Sequence, residues 1–401
     1  MRRGADAGER AVPDRPIRIL ELRTVFGTGG GPEKTILLGT ARTDPARYAI
    51  TVCYIRDERD SVYHVDERAQ DLPVDYVEIR ERHSFDWRIW PELKALIRDR
   101  GIDIVHSHDY KTDLLAWRLA SLPGVIGMAT AHGWTGHSTR ERLLYYPGDR
   151  WVLARFPHVV AVSSDIRNQL IRAGAPPGNV TVVLNAIDPL AFRRDRTKEA
   201  EARRHFGVDP SDFVIGAVGR LEPQKDFHLL ISAFARLASG MASARLLIAG
   251  DGSLRASLQA HIDSLGLSAQ CRLLGHVGDI PLLHHTFDLF AQSSNYEGTP
   301  NAVLEAMALE SPIVATDAGG TAEIARNGEE ALIVPFHNED ALVAALQKAI
   351  DKPEERAARV RAARHRVETD LSFDTRLRKV ERIYDQLAGA LPEHARAWVG
   401  R

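Results

Sequence analysis

The chain has 401 residues, 26% charged and 44% hydrophobic, and 52 basic against 54 acidic side chains leave a formal charge of −2. This length suits two domains with sizeable cores, and the balance excludes the basic excess of a bulk nucleic-acid binder while leaving room for a local cationic cleft. Two distant cysteines, Cys53 and Cys271, speak against a disulfide framework or a cysteine metal site and fit a reducing compartment.

Residues 1–16 are polar and charged without an apolar core, so they read as a disordered tail and not a signal peptide. No apolar run approaches the roughly 18 residues of a membrane span. The first predicted strand, 17–22, leads into Gly27-Thr28-Gly29-Gly30-Gly31-Pro32 and a helix from Glu33. Strand, glycine turn and helix open a doubly wound sheet. Further strands are predicted at 50–55, 74–79, 102–106, 125–130 and 159–163, with helices such as 90–100 and 112–120 between them. The alternation implies parallel strands covered by helices on both faces.

After 176–185 and a charged stretch at 193–204 the pattern restarts. Strands are predicted at 213–218, 245–249, 271–274, 289–292, 313–316 and 331–334. The helix at 227–238 places Phe227, Leu230, Ile231, Phe234 and Leu237 on one face at 3.6-residue spacing. The expected organisation is a tail (1–16), a first Rossmann-like domain (17–192), a linker (193–212), a second Rossmann-like domain (213–372) and a terminal helical segment (373–401) free to return to the first domain. Ligands favour the cleft between two such halves and the carboxyl ends of their strands.

Several motifs fall at those ends. Glycines 27–31 would let backbone N–H groups approach a phosphate, although Pro32 breaks the dinucleotide fingerprint and Glu33 breaks the P-loop. A mobile turn explains them equally well. Arg220 and Lys225 flank the turn between strand 213–218 and helix 227–238, where two cations and a helix dipole suit a diphosphate. Two solvated charges are the plainer alternative. In Glu297-Gly298-Thr299-Pro300-Asn301 through Glu305, Thr299 is a plausible N-cap with Pro300 as the first helical residue. Its two carboxylates could reach separate sets of sugar hydroxyls, though by chemistry alone they are ordinary surface acids. His132, at a strand end, could be a polar ligand of a reaction centre or a proton carrier. With His106, His108 and His137 it raises a metal site, but no zinc spacing is present. Gly319-Gly320 forms another glycine turn. Arg140, Arg142, Tyr145, Tyr146, Trp151 and Arg155 interleave basic and aromatic groups as an acceptor lip, a membrane-surface contact or a plain amphipathic helix would.

The ordered set resembles the retaining glycosyltransferases of family 4, over roughly residues 17–388. The resemblance rests on Gly219-Arg220-Leu221, Gly250-Asp251-Gly252, Gly275-His276-Val277, the Glu297-x7-Glu305 element and Gly319-Gly320, in family order. It implies an α/β protein of the GT-B fold, two Rossmann-like doubly wound domains facing across a cleft, the first taking the acceptor and the second a nucleotide-sugar. It further implies that Arg220 and Lys225 hold the donor diphosphate, that Glu305 binds the ribose and Glu297 the transferred sugar, and that His132 lies at the sugar's reaction face. Gly29 and Gly30 would meet the diphosphate or acceptor, and His276 and Val277 the base. Gly298, Thr299 and Asn301 complete the donor set. The catalytic candidates are His132, Arg220, Lys225 and Glu297, and the acceptor candidates are His108, Asp109, Tyr110, Lys111, Arg140 and Arg142. No metal or other cofactor is expected, since Arg and Lys neutralise the leaving group.

The expected function is retaining transfer of a sugar to a glycan or lipid-linked acceptor in cell-envelope or exopolysaccharide synthesis, in the cytoplasm or at the inner face of the membrane. A nucleotide-sugar epimerase of the same fold and a non-catalytic nucleotide-sugar-binding protein are the alternatives.

Overall fold

Two runs of apolar strands build two sheets, each parallel throughout. A computed structural model describes residues 15–27, 31–63, 65–84, 86–134, 143 and 145–390. The first sheet takes β1 (Ile17–Thr24), β2 (Tyr48–Asp57), β3 (Asp75–Glu81), β4 (Ile104–Ser107), β5 (Ile126–Ala131), β6 (His158–Ala161) and β7 (Val180–Val182), in the spatial order β3-β2-β1-β4-β5-β6-β7. The second takes β8 (Phe213–Val218), β9 (Ala244–Ala249), β10 (Cys271–Gly275), β11 (Leu289–Gln292), β12 (Ile313–Thr316) and β13 (Leu332–Val334), in the order β10-β9-β8-β11-β12-β13.

Alternate residues of a strand face opposite sides, and both sides are buried. In β8, Ile215 and Ala217 join a core with Leu230, Phe234, Leu342 and Leu346 from the helices Phe227–Ala238 and Glu339–Asp351. Val214 faces the opposite core, with Val303 and Met307 of the helix Asn301–Ala308 and Ala363 and Val367 of the helix Pro353–Thr369. The short strand β7 was not anticipated; its three residues carry too little pattern to separate strand from loop.

The terminal helix, Phe373–Gly389, leaves the second sheet and packs on the first. Val380, Ile383, Tyr384 and Leu387 bury against Ile17, Ile19, Ile104, Met128 and Val160. The chain therefore crosses between the halves twice. Val183 belongs to the first core and Ile187 to the second. The crossings are tied by backbone bonds from Ile187 N to the Leu371 carbonyl (3.1 Å) and from Phe373 N to the Ile187 carbonyl (3.0 Å). The charged stretch expected as a linker lies on the second domain. Arg194 donates to the His284 carbonyl at 2.7 Å, Arg203 pairs with Asp288 at 2.8 Å, and Ala202 is buried. Its charges are anchors here, so polarity alone misplaced the crossing.

Ile383 is 4% exposed in the first core although it comes from the far end of the chain. Ile383→Ala should destabilise the protein by about 2–5 kcal/mol, measured as a lower midpoint of urea unfolding with secondary structure retained in the native baseline.

Candidate active site between the two sheets

The order of each sheet reverses once, between β1 and β4 and between β8 and β11, and in open parallel sheets the carboxyl ends of the strands at such a point are where ligands bind. In the second sheet β8 ends at Val218, followed by Gly219 and the exposed Arg220. A tight turn over Pro223–Lys225 follows. Asp226 then adopts left-handed backbone (φ 43°), and its side chain accepts from Leu229 N to cap the helix Phe227–Ala238. The loop after β11 zips onto this turn. Asn295 N donates to the Gln224 carbonyl (2.9 Å), Gln224 Nε2 to the Tyr296 carbonyl (2.8 Å) and the Ser293 hydroxyl to the Lys225 carbonyl (2.8 Å).

These bonds bring Lys225 Nζ to 2.5 Å from Glu297 Oε1, and the Ser294 hydroxyl donates to the same oxygen at 2.6 Å. The Glu297 side chain is 7% exposed and that of Lys225 17%. Such a pair adds little net stability, because desolvating two charges offsets their attraction. It does place a cation and a carboxylate side by side at the switch point before any ligand arrives.

Glu297 is held by backbone packing. A Cβ on Gly319 (φ +56°) would lie 1.8 Å from the Glu297 carbonyl oxygen, and one on Gly320 2.1 Å from that of Gly298. The Gly319-Gly320 turn thus packs closely against the Glu297 loop. A Cβ on Gly298 would lie 2.7 Å from the His132 carbonyl oxygen, in the first domain. The halves also meet where the Thr299 hydroxyl donates to the Val162 carbonyl, and where Ser164 donates its N–H (2.8 Å) and hydroxyl (2.7 Å) to the Glu323 carboxylate. Thr299 is therefore not the N-cap. The helix runs Asn301–Ala308 with Pro300 before it, and the Thr299 hydroxyl is spent across the cleft.

The remaining donor candidates lie around this loop. Glu305 is half-buried in the second turn of that helix. Asn301 accepts from Asn185 Nδ2 at 3.3 Å, which ties it to the crossing. His276 is exposed just beyond β10, and Val277 packs partly against the second core.

In the first sheet three of the acceptor candidates are turned inward. His108 is buried and bonds to Glu21. Asp109 caps the helix Tyr110–Leu119, accepting from Lys111 N and Thr112 N, and also accepts from Thr24 N at 2.7 Å. Lys111 pairs with the buried Glu81. Tyr110 is 45% exposed and stacks on Tyr145 at 5.5 Å. Gly29, Gly30, Arg140 and Arg142, with His137 and the side chain of Lys34, lie outside the described residues.

Sequence reasoning missed Glu21. Its signal was a carboxylate in the middle of an apolar strand. Glu21 contacts His106 Nδ1 (3.2 Å), His108 Nε2 and the Tyr384 hydroxyl (2.7 Å). His108 Nδ1 in turn lies 3.4 Å from His132 Nε2. Burial alone would raise the Glu21 carboxyl, but His106 and His108 outweigh it and hold it well below the usual carboxylate range. Burial, with His106 beside it, pushes His108 down to about 4. Burial and the Arg23 guanidinium hold His132 well below the ordinary histidine range. Both effects favour a neutral imidazole over a stored proton at His132. Ligand atoms of Glu21, His106 and His108 lie within 4.8 Å of one another, a spacing a metal ion could bridge, but each residue already takes part in this hydrogen-bond network.

Gly319→Ala should push the Glu297 carbonyl aside and lower the melting temperature, with loss of whatever ligand stabilisation the native chain shows in the same assay. The network sets a pH dependence. His108 titrates near 6.5 when unfolded but near 4 when folded, so the unfolded chain binds the proton first. Stability should be full above about pH 6.5 and fall by about 3 kcal/mol toward pH 4 from this residue alone, read from urea midpoints across that range.

Both halves of the chain match families of known proteins. The chain matches the group 1 glycosyl transferases over residues 198–366 and Glycosyltransferase Family 4 over residues 29–189. It is 31% identical over 277 residues to EpsD of Bacillus subtilis (strain 168), a protein named as a glycosyltransferase, covering 66% of this chain and 72% of that one. It is 28% identical over 309 residues to a glycogen synthase of Mycobacterium tuberculosis (strain ATCC 25618 / H37Rv), covering 73% and 71%. Among solved structures, Anabaena Alr3699/HepE in complex with UDP-glucose aligns with a TM-score of 0.80 at 19% identity, covering 92% of this chain and 100% of that one. The chain belongs to the group 1 glycosyltransferases of family 4, built on the GT-B fold.

Proposed function

We propose that this glycosyltransferase moves a sugar from a nucleotide-sugar to a glycan or lipid-linked acceptor with retention at the anomeric carbon, in the synthesis of an envelope or extracellular polysaccharide. The observation that carries the reading is the Lys225–Glu297 pair at the switch point of the second sheet, beside the exposed Arg220. Lys225 and Arg220 meet the donor diphosphate, and their charge offsets that of the leaving group in place of a metal. Glu297 accepts from hydroxyls of the transferred sugar and Glu305 from those of the ribose. His276 and Val277 border the base, and Gly29 and Gly30 bring first-domain backbone to the diphosphate. The complex of HepE with UDP-glucose supports this class of donor.

In the transfer, the bond from C1 to the diphosphate oxygen breaks with oxocarbenium character. The bond from C1 to the acceptor oxygen forms on the same face, and the acceptor proton passes to the departing diphosphate. A neutral His132 has no proton to spare for this step and serves as a polar contact. The acceptor side is the face around the carboxyl ends of the first sheet. Phe26, Trp87 and Tyr110 are 64%, 82% and 45% exposed there, apolar surface that suits sugar rings or a lipid carrier. No helix among the described residues is long and apolar enough to cross a membrane, so contact with a lipid carrier would be peripheral.

A thermal-shift panel of UDP-, GDP-, ADP- and dTDP-sugars should single out one base, since ligand at about 100 times its Kd stabilises by about 2.7 kcal/mol. With that donor, Lys225→Ala and Glu305→Ala should each cut transfer by about 100-fold or more while the native fold survives, with a lowered unfolding midpoint for Lys225→Ala, which leaves the buried Glu297 carboxylate without its cation. EDTA should leave the native rate unchanged. Full activity in either variant would remove the assignment.

A further inference from the structure

Counting protons around Glu21 determines which ring nitrogen of His132 carries hydrogen. A carboxylate only accepts, and a neutral imidazole has one N–H. Tyr384 Oη lies 2.7 Å from Glu21 Oε1 and 2.7 Å from His106 Nδ1, while His106 Nε2 lies 2.7 Å from Thr130 Oγ1. The consistent arrangement has Tyr384 donating to Glu21, His106 donating from Nδ1, and Thr130 donating to His106 Nε2. His108 must likewise donate from Nε2 to Glu21 Oε2, so its Nδ1 keeps the lone pair. His132 Nε2, 3.4 Å from that lone pair, is then the donor.

We propose that Glu21, acting through His108, is a positioning residue that locks His132 in the Nε2–H tautomer, so that His132 offers the cleft a neutral acceptor, Nδ1, which selects a hydroxyl donor on the ligand and rejects an anionic oxygen. The hydrogen bond at one ring nitrogen sets the state of the other, as in carboxylate–histidine pairs that orient metal-bound imidazoles. Burial first, and then the Arg23 guanidinium, disfavours the charged form of His108 and of His132. Arg23 donates to the His108 carbonyl at 2.7 Å. Arg376, from the terminal helix, shares a small cavity of about 30 Å³ with Glu21, His108 and His132, and its Nε is buried without a hydrogen-bond partner among the described residues. The tautomer follows from the network alone. Its meaning for sugar selection rests on the proposed function.

The test is 15N NMR of the full chain labelled at histidine, with the His132 resonances identified through His132→Gln. At pH 7, His132 should show a protonated Nε2 and an unprotonated Nδ1. Glu21→Gln presents an amide donor to His108 Nε2 and should reverse the chain, placing the proton on His132 Nδ1. With a transferable donor, Glu21→Gln should lower kcat about 10–100-fold with a much smaller change in donor KM, and Glu21→Asp should restore the native tautomer and part of the rate. A native His132 protonated at Nδ1 overturns the proposal, as does a folded Glu21→Gln chain whose His132 tautomer is unchanged. If Glu21→Gln does not fold, the native spectrum decides. The expected tautomer in a chain that transfers no sugar would overturn the function reading and leave the lock standing.

Discussion

Backbone meets backbone at the centre of this molecule, and the site depends on that contact. The loop carrying Glu297 is pressed between Gly319-Gly320 on one side and the His132 carbonyl on the other, at separations that leave no room for a side-chain carbon. Peptide groups packed this closely cannot slide, because the interior is dense and its polar groups are already bonded. The carboxylate of Glu297 is thereby aimed at Lys225, and the His132 backbone is brought against the same loop from the opposite sheet. The glycines serve the candidate site at one remove: they let the protein approach itself.

The net charge of −2 averages over sharply different local situations. Lys111 is neutralised within the first domain by Glu81, whereas Lys225 faces Glu297 at the switch point of the second sheet and keeps some contact with solvent. Arg220 stands exposed next to it. Glu21 is an anion fully inside the first domain, made tolerable by donors from Tyr384 and two histidines. A buried carboxylate held by donors on both oxygens stiffens the groups around it, and these groups lead to His132.

Most of the fold was legible in the sequence. Strands such as β8, β11 and β12 coincide with their predicted ranges, because a strand buried on both faces is a short, dense apolar run between turns. Lys225, Glu297 and Glu305 were legible as members of ordered motifs. What escaped were properties that depend on distant partners. Nothing local distinguishes Lys111, drawn to Glu81 on another strand, from Lys225, drawn to a cleft. Thr299 had the chemistry of a cap, but the Val162 carbonyl lay nearer. Glu21 could not be interpreted without Tyr384, 363 positions away. Residues 193–212 had the polarity of a linker and the positions of anchors.

The doubled crossing also bears on how the chain is made. Between Ile187 and Leu371 lies a whole second sheet, inserted into a first domain whose covering helix, Phe373–Gly389, is its last described element. During synthesis the inserted unit emerges uninterrupted and can close its core as it appears. The earlier sheet must wait, with Ile17, Ile19, Ile104 and Val160 uncovered until Ile383 and Leu387 leave the ribosome. The half made first is the half finished last, and in a nascent chain its bare sheet face is the surface a chaperone would meet.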